Sequence, residues 1–137
     1  FWINGFVEDS LVGYDIEFIV LKLPAGTKFA VDAKQAKGPI AQAQPLDSAA
    51  VRTILLALPG CKPGPQDSID YLGSGLSYAR LTIEPKAIHV ENNCGAKDLL
   101  KLQAAIAKAL GPVYIRDLQS GQLHDADSYA EWWNKPL

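Results

Sequence analysis

Two cysteines and two histidines, Cys61, Cys94, His89 and His124, are the side chains that could act as nucleophiles or proton carriers. A cysteine nucleophile needs a base such as histidine close to it in space. Cys94 lies directly before a predicted helix, and a helix N-terminus can lower the pKa of a thiol. A single cysteine in a turn has no diagnostic spacing, however, so the pattern does not predict a thiol enzyme.

Both histidines are predicted to be structural. His89 falls on the polar face of a predicted hairpin opposite Thr82, where a solvent-facing or hydrogen-bonded side chain is expected. His124 precedes Asp125, and a neighbouring carboxylate could orient an imidazole for general acid–base catalysis. Because adjacent residues seldom aim their side chains at one point, we expect His124 to be a surface histidine in a loop.

No metal or cofactor site is predicted. The histidines and cysteines match no zinc spacing, and Asp67 and Asp70 lack the further oxygen ligands of a calcium loop. The glycines around Ser74 lack the Lys-Ser/Thr ending of a phosphate-binding loop.

The carboxylates favour recognition of a partner over catalysis. From residue 117 onward there are four acidic residues and one basic residue: Asp117, Asp125, Asp127, Glu131 and Lys135. Asp67, Asp70 and Tyr71 form a second acidic and aromatic group, and an acidic surface can attract a basic partner. The predicted partner-binding residues are Asp67, Asp70 and Tyr71, followed by Asp125 and Asp127. The alternative is an ordinary solvated face with helix-capping residues.

Composition is typical of one globular domain over residues 1–137. Hydrophobic residues make up 48% of the chain and charged residues 20%, and the net charge of -2 disfavours nucleic acid as a partner. The longest apolar runs are far shorter than the roughly 20 residues that span a bilayer. Two cysteines define no disulfide framework, so we expect free thiols and a cytoplasmic location, with a periplasmic one left open.

Interleaved strands and helices must position these side chains. Runs of β-branched and aromatic residues predict strands over 1–6, 14–23, 27–31, 76–84, 87–92 and 113–117. Helices are predicted from Asp47 or Ser48 to Pro59, from about Lys97 to Leu110, and from a Ser128–Glu131 capping box to Pro136. Residues 32–46 and 59–77 are predicted to be loops. The strand over 14–23 is apolar on both faces in its second half, which predicts a central position in the sheet.

The clearest local signal is a hairpin on either side of Pro85-Lys86. Pairing Glu84 with Ala87 places Leu81 opposite Val90 and Ile83 opposite Ile88 on one face, and Thr82 opposite His89 and Arg80 opposite Glu91 on the other. Like side chains therefore meet on both faces, which is what a correct strand register requires. The predicted fold is α+β: a mostly antiparallel sheet with two main helices packed against it and a short C-terminal helix, on which Trp132 and Trp133 contact the core.

The closing stretch resembles the endings of small bacterial α+β proteins of the immunity type. The resemblance lies in Val113-Tyr-Ile-Arg-Asp-Leu-Gln-Ser-Gly-Gln-Leu-His-Asp and in Ser128-Tyr-Ala-Glu-Trp-Trp. It implies a protein that binds and neutralises a cognate toxin. It does not identify any residue of this chain as functional.

The first prediction for function is therefore a non-enzymatic binding protein, of the immunity type, that occludes a toxin's active site. The alternatives are a small thiol- or carboxylate-dependent hydrolase and a structural or ligand-binding subunit. An enzyme needs a pocket where Cys94 or a carboxylate meets a histidine, whereas an inhibitor needs only an exposed surface.

Overall fold

The computed structural model describes residues 15–24 and 26–133, in which seven strands form one antiparallel sheet. The strands are β1 (Ile16–Val20), β2 (Cys61–Pro63), β3 (Ile69–Leu72), β4 (Tyr78–Ile83), β5 (Ile88–Asn93), β6 (Val113–Asp117) and β7 (Leu123–His124). The helices are α1 (Ala33–Ala41), α2 (Ser48–Leu56), α3 (Ala96–Leu110) and α4 (Ala126–Trp133), and a 3-10 turn at Pro65–Asp67 joins β2 to β3. The predicted strand over 1–6, Tyr14 and the helix stop at Pro136 lie outside the described residues.

The strand order is β2-β3-β4-β5-β1-β6-β7, which confirms the predicted α+β class. The central position predicted for the first described strand is also confirmed, because β1 lies between β5 and β6. Ile19 and Val20 are both buried although they point to opposite faces. The sheet is therefore covered on both sides at this strand.

The predicted hairpin is confirmed in register. Leu81 pairs with Val90, Thr82 with His89 and Arg80 with Glu91. Three of the four side chains expected in the core are fully buried, namely Leu81, Ile88 and Val90. Ile83, at the end of β4, is only half-buried.

Three helices cover one face of the sheet, which we call the inner face. Helix α2 packs on β2, β3 and β4, α3 on β1 and β6, and α4 on β6 and β7. The core between them contains Phe18, Leu55, Leu81, Ile106 and Tyr129. Trp132 and Trp133 pack against this core, as predicted.

The other face, the outer face, differs from one edge to the other. Over β1 and β6 it holds a second apolar cluster that includes Ile19, Leu21 and Ala36 of α1. Over β2 to β5 it is polar, with one residue from each strand in a cross-strand row: Lys62, Asp70, Arg80 and Glu91.

The prediction of a loop over residues 32–46 is wrong, because α1 occupies Ala33–Ala41. The Asp32 carboxylate caps this helix by accepting a hydrogen bond from the Gln35 amide at 2.8 Å. The helix is short and contains Pro39, so its sequence shows too little periodicity to be recognised.

The prediction of a long loop over 59–77 is also wrong, since β2, the 3-10 turn and β3 lie within it. Pro63 fits in β2 because that strand is at the sheet edge, where a missing backbone N–H removes no necessary hydrogen bond. The predicted strand over 27–31 is reduced to a single bridge between Val31 and Leu123.

The C-terminal helix begins earlier than predicted, at Ala126. Its capping box is formed by Asp125 and Ser128 and not by Ser128 and Glu131. The Ser128 amide donates to the Asp125 carboxylate at 2.8 Å, and the Asp125 amide donates to the Ser128 hydroxyl at 3.1 Å.

Candidate functional site

Both cysteines are free thiols in environments that suppress their reactivity. Burial raises the pKa of the Cys61 thiol to about 11, and burial, with the nearby Asp98 charge second, raises the pKa of the Cys94 thiol to about 11. At neutral pH only about one thiol in 10,000 would then be a thiolate, which is the reactive form. Neither thiol has a histidine partner among the described residues.

The two histidines occupy different environments. His89 lies opposite Thr82 with its Nε2 3.3 Å from the Asp15 carboxylate, in agreement with the hydrogen-bonded role predicted for it. The surface position predicted for His124 is wrong, because this side chain is fully buried at β7. Its Nδ1 lies 3.0 Å from the Ser128 hydroxyl. Burial holds the pKa of His124 below its usual value.

The predicted C-terminal acidic residues divide into structural and exposed ones. Asp125 caps α4, and Asp117 is 1% exposed and accepts hydrogen bonds from the Ser120 amide and hydroxyl. Asp127, in the first turn of α4, is exposed. Of the two residues predicted to bind a partner here, only Asp127 presents a carboxylate that is not already used in helix capping.

Asp67 is presented by a turn with an unusual backbone. Gln66 and Asp67 have φ angles of 53° and 63°, in the left-handed region that few non-glycine residues adopt. The Arg52 guanidinium of α2 donates a hydrogen bond to the Asp67 carbonyl and ties the turn to the helix. The Asp67 side chain is exposed, and its carboxylate has no hydrogen-bond partner in the part of the chain that the structure describes.

Asp70 belongs to the polar row of the outer face. Its carboxylate lies 3.0 Å from both the Arg80 Nε and the Tyr78 hydroxyl. The hydrogen bond from Arg80 is the main reason that the pKa of Asp70 is lowered. Its charge is therefore largely compensated inside the molecule.

Tyr71 lies on the inner face of β3 and is only 5% exposed. It forms part of the wall of a half-open cleft of about 280 Å³, which we call the Tyr71 cleft. The other lining residues come from the turn after α2, the β3–β4 connection and α3: Leu58, Pro59, Gly60, Leu72, Gly73, Ser74, Asp98, Lys101, Leu102 and Ala105.

Two exposed leucines at the β3–β4 connection were not identified from the sequence. Leu72, the last residue of β3, is 49% exposed on the outer face, and Leu76, in the β3–β4 turn, is 97% exposed. They are the large apolar side chains that stand out as exposed among residues 15–24 and 26–133. The alternating pattern assigned Leu76 to a strand and Leu72 to a loop, so neither was predicted to form an apolar surface.

The two predicted acidic groups do not form one surface. Asp67 and Asp70 lie next to β2 and β3 at one edge of the sheet, whereas Asp125 and Asp127 follow β7 at the other edge. With strands about 4.8 Å apart, five strand spacings from β3 to β7 separate them by roughly 24 Å. A partner that contacts one group directly is therefore far from the other.

Among the described residues, no group of three or more histidine, cysteine or acidic side chains is arranged to hold a metal ion. No described helix combines the length and the apolar character needed to cross a bilayer. Comparison of the chain with known protein families, curated protein sequences and solved structures gives no significant match.

Proposed function

We propose that this protein acts by binding another protein, and that the contact surface is the β2–β3 edge of the sheet. The observation that carries the proposal is the exposure of two large apolar side chains four residues apart, Leu72 at the end of β3 and Leu76 in the turn that follows it. Exposed large apolar side chains at neighbouring positions are typical of protein-binding surfaces. Isolated exposed leucines would not support this argument, because they are common on protein surfaces.

The charges near this edge support the same surface. Asp67 lies in the turn before β3, five residues from Leu72, so the two residues are no more than about 18 Å apart. That distance fits within one patch of a standard interface, which covers about 800 Å² on each partner. An exposed carboxylate at the rim of such a patch speeds the approach of a basic partner.

A more specific version of this proposal is that the protein is of the immunity type. It is supported by the resemblance of residues 113–125 and 128–133 to the endings of immunity proteins, and it makes the partner a cognate toxin whose active site is occluded. The high thiol pKa values of Cys61 and Cys94 and the burial of His124 disfavour the alternative of a thiol-dependent hydrolase.

Site-specific photocrosslinking tests the surface. A photoreactive phenylalanine derivative is placed at position 76 or, as a matched control, at position 127, which is also exposed but lies at the opposite sheet edge. After irradiation in cells, we expect a discrete crosslinked protein from position 76 and none from position 127. A crosslink from position 127 alone, or none from either position, would contradict the proposal.

A further inference from the structure

The β3–β4 turn, residues 73–77, is attached to helix α3 near both of its ends. One carboxylate oxygen of Asp98 accepts hydrogen bonds from the Ser74 hydroxyl at 2.8 Å and the Ser74 amide at 3.2 Å. Hydrogen bonds from Ser77 and Ser74 hold the pKa of Asp98 below its usual value, so the carboxylate that binds the turn is ionised at neutral pH. A Cβ atom on Gly73 would lie only 2.8 Å from the Asp98 carboxyl carbon, so the turn and the helix are in close contact.

Hydrogen bonds within the turn close its tip. The Gly73 amide donates to the Ser77 carbonyl at 3.0 Å, and the Ser77 amide donates to the Ser74 carbonyl at 3.1 Å. Gly75 and Leu76 are the two residues enclosed by the second of these bonds, and Gly75 has a φ angle of 60°, which glycine adopts without strain. Leu76 is therefore presented by a backbone that is ordered before any partner binds.

The side chain of Leu76 projects from this ordered tip into solvent. Leu76 is 97% exposed and is not part of the lining of the Tyr71 cleft. Nearly all of its apolar surface is thus available for burial by another molecule. The order of the turn distinguishes Leu76 from an ordinary surface leucine, because a side chain on a preordered backbone loses less conformational entropy when it binds.

The turn itself carries no charge, because residues 73–77 are Gly-Ser-Gly-Leu-Ser. The charge of Asp98 behind the turn is engaged by the serine hydrogen bonds and by the nearby Lys101. Polar groups that are already hydrogen-bonded cost less to cover with apolar surface than free ones do. The turn is therefore complementary to an uncharged, apolar recess.

We infer that Leu76 is the anchor side chain of the interface and inserts into an apolar pocket on the partner protein. This inference rests on the proposed function and names the chemistry of the partner: a folded protein with an uncharged pocket that accepts one leucine side chain. Anchor residues of this kind fill well-packed pockets and are surrounded by contacts that exclude water. Leu72, four positions earlier in the chain, belongs to the surrounding contacts.

The affinity of side-chain variants tests the anchor. The ligand is the protein captured by the photocrosslink at position 76, identified by mass spectrometry and produced separately. Leu76→Ala should weaken its binding by about thirtyfold or more, the loss typical of an anchor residue. Leu76→Met, which nearly conserves volume, should weaken binding by less than about tenfold. Leu72→Ala should have a smaller effect than Leu76→Ala. Because Leu76 is almost fully exposed, the melting temperature of both variants at position 76 should stay unchanged.

The order of the turn is tested by ¹⁵N relaxation of the protein alone. The Leu76 amide should have an order parameter of about 0.85, as in rigid backbone. Ser74→Ala removes a hydroxyl that Asp98 binds and keeps Leu76, so it should lower this order parameter and weaken partner binding about two- to tenfold. As a matched control, Ser120→Ala removes a serine–aspartate hydrogen bond beside β6 and should leave both quantities unchanged.

Three outcomes would overturn the inference. If Leu76→Ala binds the crosslinked partner as tightly as the unmodified protein does, the anchor is wrong and the proposed function stands. An order parameter below about 0.6 for the Leu76 amide of the unmodified protein would also contradict it. We expect sedimentation of the protein alone to show no dimer that depends on Leu76. A dimer that Leu76→Ala dissociates would place the pocket on a second copy of this chain. Absence of any crosslinked protein would instead overturn the proposed function together with the inference.

Discussion

Asp67 and Asp70 are three positions apart and have opposite roles. Asp70 is held by Arg80 and Tyr78 on the outer face, so its carboxylate stabilises the sheet. Asp67 is exposed and free of hydrogen-bond partners in the described chain, so its carboxylate is available to another molecule. The sequence presents them as one acidic pair, but only the structure separates the internal carboxylate from the external one.

Substitution of each aspartate by asparagine should distinguish these roles. Asp70→Asn removes the charge that Arg80 contacts and should lower the free energy of unfolding by about 1 kcal/mol. Asp67→Asn should change it by less than about 0.5 kcal/mol, because asparagine tolerates the left-handed backbone at this position. Urea unfolding measures both, and equal effects would contradict the assignment of roles.

His124 is fully buried in the core, which is unusual for a histidine. Its ring lies 5.7 Å from that of Tyr129 and 5.6 Å from that of Trp132, and no described residue hydrogen-bonds to its Nε2. Burial lowers the pKa of His124 from 6.5, although the nearby charges of Asp117 and Asp125 oppose this shift. The folded protein therefore takes up this proton less readily than the unfolded chain does.

The free energy of unfolding should consequently depend on pH between 5 and 7. Above about pH 6.5 the imidazole is neutral in both states, and the stability that neutral His124 provides is fully present. As the pH falls below that value the unfolded chain binds the proton first, and stability drops by at most about 1.4 kcal/mol per pH unit until the folded-state pKa is reached.

Chemical unfolding at pH 7, 6 and 5 measures this dependence. His124→Gln should reduce the slope between pH 6.5 and 5. An unchanged slope in the His124 variant would show that other groups cause the pH dependence.

At the scale of single elements, β4 shows how the alternation of side chains between the two sheet faces decides which residues contribute most to stability. Leu81 is fully buried on the inner face, while its neighbour Thr82 is exposed on the outer face. Leu81→Ala should cost roughly 2–5 kcal/mol because it leaves a cavity in the core. Thr82→Ala should cost less than about 1 kcal/mol. Unfolding midpoints test the contrast, and similar losses for both variants would contradict the observed register.

Elements with strong and complete local signals could be predicted from the sequence. The β4–β5 hairpin and α3 were identified because long alternating or helical patterns bury one face of each. Helix α2 was identified because Asp47 caps it, and its carboxylate accepts a hydrogen bond from the Ala50 amide.

The remaining elements depend on contacts distant in sequence. Strand β2 has three residues and β7 has two, so neither shows an alternating pattern. The burial of His124 follows from the pairing of β7 with β6 and from the packing of α4, and neither can be read from the residues around position 124. The Tyr71 cleft is formed by three segments separated along the chain, and of its lining residues only Tyr71 was predicted from the sequence to bind a partner.

At the scale of the whole molecule, the separation of acidic groups at opposite sheet edges gives a simple test of which edge attracts a partner. Asp67→Lys should slow association with the crosslinked partner several-fold, because it reverses the charge at the proposed surface. Asp127→Lys makes the same change in net charge at the far edge and should have little effect. Surface plasmon resonance at increasing salt measures the association rates.

The difference between the association rates of the two variants should become smaller as the salt concentration increases, because the Debye length is only about 8 Å at physiological ionic strength. Equal slowing by Asp67→Lys and Asp127→Lys would indicate that net charge, and not a local surface, controls the approach.

The central position of β1 has a consequence for how the protein is synthesised. Ile16 pairs with Val90 and Val20 with Val113, so the first described strand finds its neighbours only after most of the chain has been made. During translation the apolar segment Ile16–Val20 must leave the ribosome long before either neighbouring strand exists. Such a segment is a natural binding site for chaperones and a point where nascent chains can aggregate. Premature termination anywhere before β6 would release a chain whose most apolar strand lacks at least one of its two partners.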